Sequence, residues 1–270
     1  VGVFRKSFIT HEFDLTAALA IPGLHQLHVL FTGQPRALGQ VGQTSQIVAW
    51  KPRFNYVWDW TPRLVQLAIS DGMRLEQRAT SRLARVRCRT LCDHHADIGS
   101  VVVHADVALA TQGQRVRLEL IMQGSVVGSA EAAASLGEHH LTISSPARWW
   151  PNGFGAQPLY DLTITLLDAQ GIQLEEQHRR IGFKEVLWQD CTNAPAGALP
   201  WICVVNGQRI FLQGANWVPL QPNFADVTAA QYRANVATYQ RLGCTVLRVW
   251  GGAVLGSEAF YTACDEAGIL

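Results

Sequence analysis

A short stretch near residue 59 combines residue types that could bind a sugar. Asp59 lies directly between Trp58 and Trp60. An indole ring can cover the apolar face of a pyranose, while a carboxylate accepts hydrogen bonds from its hydroxyl groups. The other interpretation is an aspartate that caps a turn, with both tryptophans packed in a core. The sequence leaves both interpretations open.

Two later stretches place polar and aromatic residues where predicted strands end. Asn216 and Trp217 follow an apolar run at residues 210–212, and Arg248 and Trp250 close a second run. Residues two apart on a strand point to the same side, so Arg248 and Trp250 face the same way. In barrel enzymes the chemistry lies at the carboxyl ends of the strands, which favours a binding site. The alternative is that the tryptophans pack in the core and Arg248 satisfies backbone carbonyls.

A helix is predicted between these two strands. Thr228 and Gln231 form a T-x-x-Q capping box that starts it, and Gly243 ends it. Its apolar face comprises Tyr232, Val236, Tyr239 and Leu242. A strand–helix–strand unit of this size implies two parallel strands.

The pattern then repeats, with Ser257 as a cap, Gly268 as a stop and a third strand starting at Ile269. Repeating βα units begin a (β/α)₈ TIM barrel, which needs roughly 250 residues. We therefore expect residues 186–270 to hold a linker and the first βα units of a truncated barrel. The chain is then a fragment cut inside that barrel.

The preceding residues favour two β domains. Residues 1–73 are predicted to be all-β, with a strand at residues 24–31 and a glutamine- and glycine-rich loop at residues 39–46. Residues 74–185 show period-two strands about ten residues apart, which predicts an immunoglobulin-like sandwich. Residues 148–160 are assigned a structural role at its edge, and residues 186–205 are rich in turn formers, which predicts a linker.

Composition excludes several classes of protein. The chain has 270 residues, 48% hydrophobic and only 16% charged, so it can bury a large core. A formal charge of +1 gives no indication of nucleic acid or an anionic membrane surface as partner, and no apolar run is long enough to span a bilayer. The six cysteines lack zinc-site spacing and three of them lie in apolar stretches typical of buried thiols, so neither a metal site nor a disulfide is predicted. No cofactor is expected.

Several motifs, in order and across nearly the whole chain, resemble the β-mannosidases of glycoside hydrolase family 2. They are WDWTPR at residues 58–63, WWPNGFGAQPLY at 149–160, IGFKEV at 181–186, VNGQRIFLQGANWVP at 205–219, LRVWGG at 247–252 and FYTACDEAGIL at 260–270. The resemblance implies a multidomain exo-glycosidase: a jelly-roll β-sandwich, here partial, an immunoglobulin-like β-sandwich, and a catalytic TIM barrel. Its substrate would be a carbohydrate with a terminal β-D-mannose, hydrolysed with retention.

The resemblance also implies roles for particular residues. Asp59 and Trp60 would reach into the sugar pocket from the first domain. The barrel side of the pocket would be lined by Asn216, Trp217, Arg248 and Trp250. The family's acid/base and nucleophile are glutamates on later barrel strands, expected beyond Leu270, so no catalytic residue is assigned within this chain.

The sequence departs from the family pattern in places. Thr61 stands where a glycine is usual, and residues 253–256 replace a segment that usually carries an acidic residue near the pocket. Two alternatives therefore stay open. One is another family 2 exo-glycosidase, of β-galactosidase, β-glucuronidase or exo-glucosaminidase type. The other is a non-catalytic carbohydrate-binding sandwich module, against which the βα repeat argues.

Overall fold

The computed structural model describes residues 2–4, 7–33, 51–78 and 81–270. The chain divides into two compact units. The first contains the residues up to Arg74, together with Asn216–Ala234 and Arg248–Tyr261; the second contains Leu75–Ala215, Asn235–Leu247 and Thr262–Leu270. Several β-sheets dominate the fold, as expected for the sandwich domains.

The second unit is built on a seven-stranded sandwich. Its strands are β1 (Arg82–Asp93), β2 (Ile98–Ala108), β3 (Arg115–Met122), β4 (Ser125–Ala133), β5 (Glu138–Ser144), β6 (Tyr160–Leu167) and β7 (Gln173–Ile181). One sheet has the order β1-β2-β5 and the other β4-β3-β6-β7, with antiparallel neighbours throughout. This two-sheet arrangement confirms the immunoglobulin-like prediction.

Period-two alternation places one face of each strand in a shared core. The buried members include Val101, Val103, Val116, Leu118, Leu120, Leu141, Leu162, Ile164, Leu166 and Phe183. At the start of β6, the Tyr160 hydroxyl accepts a hydrogen bond from the Ala147 N–H at 2.7 Å. A tyrosine at this corner, bonded back to the upstream backbone, is a feature of immunoglobulin-like sandwiches. It fixes the β5–β6 connection.

Three residues of the sandwich depart from the burial that period-two alternation predicts. Leu109 continues the apolar alternation of residues 101–107 in the sequence, which predicts an inward side chain, but β2 ends at Ala108 and Leu109 adopts a positive φ of 50° in an exposed turn. The same alternation along β6 predicts that Thr163 and Thr165 face solvent, yet both are buried. Their strand β6 lies inside a four-stranded sheet, where the side chains of both neighbouring strands cover it.

A buried histidine makes the sandwich sensitive to acid. His139 on β5 is 2% exposed, and neither ring nitrogen has a hydrogen-bond partner among the described residues. Burial lowers the pKa of His139 below its ordinary value of 6.5, and neighbouring His140 adds to the effect. The folded state therefore resists protonation of this ring.

We expect the free energy of unfolding to fall as the pH drops below about 6.5. The unfolded chain takes up a proton at His139 in that range and the folded chain does not, so acid favours unfolding until the lower folded pKa is reached. Urea unfolding at about pH 7.5 and about pH 5 measures the effect. His139→Leu should remove this part of the pH dependence. His140→Leu, at an exposed position, should retain most of it; an unchanged pH dependence in His139→Leu would contradict the prediction.

Residues 186–210 contain a small sheet, so the irregular part of the predicted linker is limited to residues 190–201. Strands β8 (Val186–Gln189), β9 (Ile202–Val205) and β10 (Gln208–Ile210) pair antiparallel in the order β10-β9-β8. Asn206 and Gly207 have φ of 49° and 84°, the positive values of a two-residue hairpin turn. The buried strand predicted at residues 210–212 is therefore wrong: it ends at Ile210, and Phe211 is 81% exposed.

A βαβα unit follows. It contains β11 (Gly214–Trp217), α2 (Ala229–Arg241), β12 (Val246–Val249) and α3 (Glu258–Ala267). The Thr245 N–H bonds to the Gln213 carbonyl (2.7 Å) and the Trp250 N–H to the Trp217 carbonyl (3.1 Å), so β11 and β12 run parallel. Leu270 exchanges hydrogen bonds with the backbone of Thr245 and Leu247, which aligns a third extended segment beside β12. This pattern fits the start of a TIM barrel.

The helix boundaries follow the predicted caps. The Thr228 N–H bonds to Gln231 Oε1 (2.8 Å) and the Gln231 N–H to Thr228 Oγ1 (3.3 Å), the two bonds of a capping box. Gly243 and Gly268 end the helices with φ of 77° and 74°. Leu242 alone leaves the predicted apolar face: it follows the last residue of α2 and is exposed.

The segment after β5 fastens the ends of both helices within the second unit. Trp149 Nε1 donates to the Asp265 carbonyl (2.7 Å), and the Asn152 N–H donates to the Gly268 carbonyl (2.7 Å). The Asn152 side chain donates to the carbonyls of Gln240 (2.8 Å) and Cys244 (3.1 Å). These bonds satisfy carbonyl groups that have no partner inside a helix, which agrees with the structural role assigned to the segment.

The described residues before Arg74 contain little regular structure. They include α1 (Thr16–Leu19), a 3₁₀ turn at Arg53–Tyr56 and an isolated bridge between Trp58 and Thr61. The strand predicted at residues 24–31 is not formed. A stretch of strand-forming residues makes a strand only where a neighbour supplies the ladder hydrogen bonds, and the described residues supply none there. The predicted loop at residues 39–46 lies outside the described residues.

Candidate functional site

The candidate site belongs to the first unit and begins at a tight turn. The Trp58 N–H donates to the Thr61 carbonyl (3.1 Å), and the Thr61 N–H donates back to Trp58 (3.4 Å). Asp59 and Trp60 occupy the two positions between them and are exposed at the tip. A turn closed on both sides presents the Asp59 carboxylate and the Trp60 indole outward.

The turn is held from behind by buried neighbours. Phe54 stacks on Trp60 with ring centroids 5.3 Å apart and an interplanar angle of 20°. Buried Asn55 donates through Nδ2 to the Pro222 carbonyl (2.9 Å), in the loop between β11 and α2. Gln66 Nε2 donates to the same oxygen (2.8 Å). These two amides fasten the turn to that loop, and no motif in the sequence indicates them.

Trp58 connects the turn to the end of β12. Its ring lies 4.8 Å from that of Trp250, centroid to centroid, with a 47° tilt. The Phe54 N–H also donates to the Gly252 carbonyl (3.4 Å). The WDW stretch and the VWGG stretch, far apart in sequence, therefore meet in one place, with Trp58 as the contact.

Arg248 and Asn216 form a polar pair across the ends of the two parallel strands. Arg248 Nη1 donates to Asn216 Oδ1 at 3.0 Å, and both side chains are exposed. Parallel strands bring their carboxyl ends to one edge, which is why residues 32 positions apart touch here. The pair offers guanidinium and amide donors beside the half-buried ring of Trp250.

Trp217 is the exception among the predicted site residues. It is 1% exposed and stacks on Phe260 of α3, with centroids 4.2 Å apart and a 29° angle. Tyr232 of α2 lies 6.3 Å away on the same cluster. Trp217 therefore packs strand against helices, and a surface role for its side chain is corrected to this core role.

Aromatic faces, a carboxylate, a guanidinium and an amide together can bind a saccharide but do not form a pair of catalytic acids. Asp265 and Glu266 lie on the last turn of α3, in the second unit. Glu266 is ion-paired with Arg180 at 2.7 Å, and burial raises the pKa of the Asp265 carboxyl. Among the described residues, no three His, Cys, Asp or Glu side chains cluster to hold a metal ion.

None of the helices in the described part of the chain combines the length and the apolarity needed to cross a bilayer.

Comparisons with known proteins define the class of the chain. Residues 74–184, which contain the immunoglobulin-like sandwich, match the family described as Glycosyl hydrolases family 2. These residues are therefore a domain of this family, and the chain is a glycosidase-like hydrolase sequence.

Several β-mannosidases are similar to the chain over most of its length. The chain is 28% identical to β-mannosidase B of Aspergillus terreus over 98% of its length, and 32% identical to that of Thermothelomyces thermophilus over 85%. It covers 33% and 27% of these proteins. The solved β-D-mannosidase of Dictyoglomus thermophilum matches 82% of the chain with a TM-score of 0.69 and 27% identity, over 28% of that protein. The predicted resemblance to β-mannosidases is confirmed, and the chain spans about a third of the length of these relatives.

Proposed function

We propose that this chain provides one side of the sugar pocket of a retaining exo-glycosidase that removes terminal β-D-mannose. The relatives that match most of the chain are β-mannosidases, which supports this substrate. The residues proposed to contact the sugar are Asp59, Trp60, Asn216, Arg248 and Trp250. Trp217 would support them from the core.

The observation that carries the proposal is the position of Asp59. Its carboxylate stands at the tip of a closed turn whose Trp58 packs on Trp250, next to the strand that carries Arg248. A carboxylate at an exposed tip with an indole beside it suits a sugar with several hydroxyl groups, because each oxygen can accept hydrogen bonds.

The hydrolytic step needs two carboxyl groups about 5–5.5 Å apart, one as acid/base and one as nucleophile. We propose that both are glutamates on later barrel strands, outside these 270 residues. The chain by itself should then fail to hydrolyse an aryl β-mannoside. Turnover by the purified chain that is abolished in Asp59→Ala would refute this assignment.

In a longer enzyme that contains this chain, Asp59→Ala is expected to lower kcat/KM for a β-mannoside by about ten- to hundredfold. Loss of a charged hydrogen-bond partner costs about 1.5–3 kcal/mol, which corresponds to that range. Steady-state kinetics measure the effect, and the melting temperature should stay the same because the Asp59 side chain is exposed.

Asp71→Ala is the matched control. Asp71 is an exposed aspartate in the same unit whose carboxylate accepts only from the neighbouring Gly72 N–H (2.8 Å) among the described residues. It should leave kcat/KM unchanged. Unchanged kinetics in Asp59→Ala together with a clearly lower melting temperature would make Asp59 a turn residue.

The identity of the sugar is tested by comparing kcat/KM for different glycosides. The enzyme should show its highest kcat/KM on a β-mannoside when compared with β-galactoside, β-glucuronide and β-glucosaminide of the same leaving group. A preference for any of the other three would keep the family assignment and replace the proposed substrate.

A further inference from the structure

A column of three arginines runs along β1. The inward positions of this strand after its bulge are Val86 and Cys88, which pack against the sandwich core. Arg85, Arg87 and Arg89 alternate with them and are exposed on the outer face. Because a strand rises about 3.4 Å per residue, their Cα atoms follow one another at about 7 Å.

The three guanidinium groups have no acceptor among the described residues. The residues opposite them on β2 are Asp106, His104 and Val102, in register with Arg85, Arg87 and Arg89 respectively. Even Asp106 does not form an ion pair with Arg85 in the described structure. By contrast, Arg115 and Arg117 on β3 share Glu131 at 2.5 and 2.8 Å. The β1 column therefore keeps its charge and its donors available.

The same strand is an edge of its sheet. In the order β1-β2-β5 only one side of β1 is paired. Near its start, Leu83 is covered by β7: its N–H donates to Glu175 (2.7 Å) and its carbonyl accepts from Gln177 (3.3 Å). From Arg85 to Leu91, the backbone groups that point away from β2 have no partner in the described part of the chain. An unpaired edge of this length can accept another strand.

A cavity opens beneath this edge. Its volume is about 240 Å³, and its walls include Cys88 and Thr90 of β1, Ile181 of β7, and Lys184 and Asp265. Cys88 and Thr90 lie on the inward side of β1, so side chains of a strand added beside β1 would alternate between this cavity and the arginine column.

We propose that the free edge of β1 binds an extended segment of a partner protein that carries carboxylates at every second position. The segment adds to the sheet as a fourth strand. Its acidic side chains lie across from Arg85, Arg87 and Arg89, because directly opposed residues of opposite charge stabilise neighbouring strands. An inward-facing side chain between them enters the cavity.

The matching segment is not contained in these 270 residues, because no stretch of them has three Asp or Glu at alternate positions. In an extended peptide, side chains on the same face are spaced like Arg85, Arg87 and Arg89, because both the peptide and β1 are strands. A flexible polyanion would use the charge of the column but neither the backbone edge nor the cavity.

The test uses the full chain and a fluorescein-labelled peptide of alternating Glu and Val/Thr residues, with binding followed by fluorescence anisotropy. The variant Arg85→Gln/Arg87→Gln/Arg89→Gln should weaken binding about tenfold, the effect of three exposed charge pairs. The same positions changed to Lys should retain most of the affinity. The control Arg115→Gln/Arg117→Gln should bind like the wild type, because these two arginines are already ion-paired with Glu131.

Two further readouts separate strand addition from simple charge attraction. A peptide of the same composition with its glutamates in one block should bind more weakly, and amides between Arg85 and Leu91 should gain protection from hydrogen exchange only with the alternating peptide. Equal binding of both peptides, or stronger binding of heparin without any new protection, would make the column a general polyanion surface and overturn the proposal. Unchanged peptide affinity in the glutamine variant, with self-association of that variant, would show that the arginines only protect the edge from aggregation.

Discussion

Replacing Phe183 by alanine is expected to lower the free energy of unfolding of the sandwich by about 3–5 kcal/mol. Phe183 is fully buried and meets Tyr160 edge-to-face at 5.2 Å. Its carbonyl accepts from the Trp149 N–H (2.8 Å), so the residue joins the core to the segment that fastens the helix ends. Removing the ring leaves a cavity at this junction, since the surrounding strands cannot close on it. Urea unfolding followed by far-ultraviolet circular dichroism measures the change.

Phe211→Ala is the control for that loss. Phe211 is 81% exposed and follows β10 in the same unit, so its removal should change stability by less than about 0.5 kcal/mol. A loss of similar size in both variants would mean that the effect of Phe183 does not come from core packing.

Gly268→Ala is the second substitution with a large expected effect: it should lower the free energy of unfolding by about 2–5 kcal/mol. Gly268 has a φ of 74°, where an alanine costs roughly 1–2 kcal/mol. A Cβ there would lie 2.6 Å from Asn152 N and 3.0 Å from Asn152 Cα, which are backbone atoms that cannot turn aside. The segment would have to shift and weaken the Asn152 bonds to Gly268, Gln240 and Cys244, each contributing about 1 kcal/mol.

Gly243 provides a matched control at the end of the other helix. Its φ is 77°, but the nearest atom to an added Cβ is Gln213 Nε2 at 3.7 Å. Gly243→Ala should therefore show the backbone strain alone, about 1–2 kcal/mol. Hydrogen exchange at the end of α3 should increase in Gly268→Ala. If Gly268→Ala and Gly243→Ala lower the free energy of unfolding equally, the contact with Asn152 does not contribute to the effect at Gly268.

The proposed strand-binding edge and the candidate sugar site lie in different units and depend on different residues. A failure of Asp59→Ala to affect catalysis would leave the arginine column untouched, and a failure of peptide binding would leave the sugar site untouched. The two proposals can therefore be judged separately.

Local patterns in the sequence determined the parts of the protein that depend on neighbouring residues. The capping box of Thr228 and Gln231 and the glycines after each helix defined α2 and α3, because caps and left-handed glycines act within one turn. Period-two alternation likewise defined the sandwich strands, whose core needs only that one face be apolar. The family motifs carried the resemblance to β-mannosidases.

Only the tertiary structure decided which side of each element meets a partner. Trp217 and Trp250 both stand at the end of a predicted strand, yet Trp217 is buried against Phe260 and Trp250 stays half-buried beside Trp58. The amide of Asn55 meets the Pro222 carbonyl, a contact 167 residues apart that no local pattern encodes. The exposed tip at Asp59 depends on such long-range contacts, because burial and hydrogen-bond partners are properties of the packed chain rather than of any one segment.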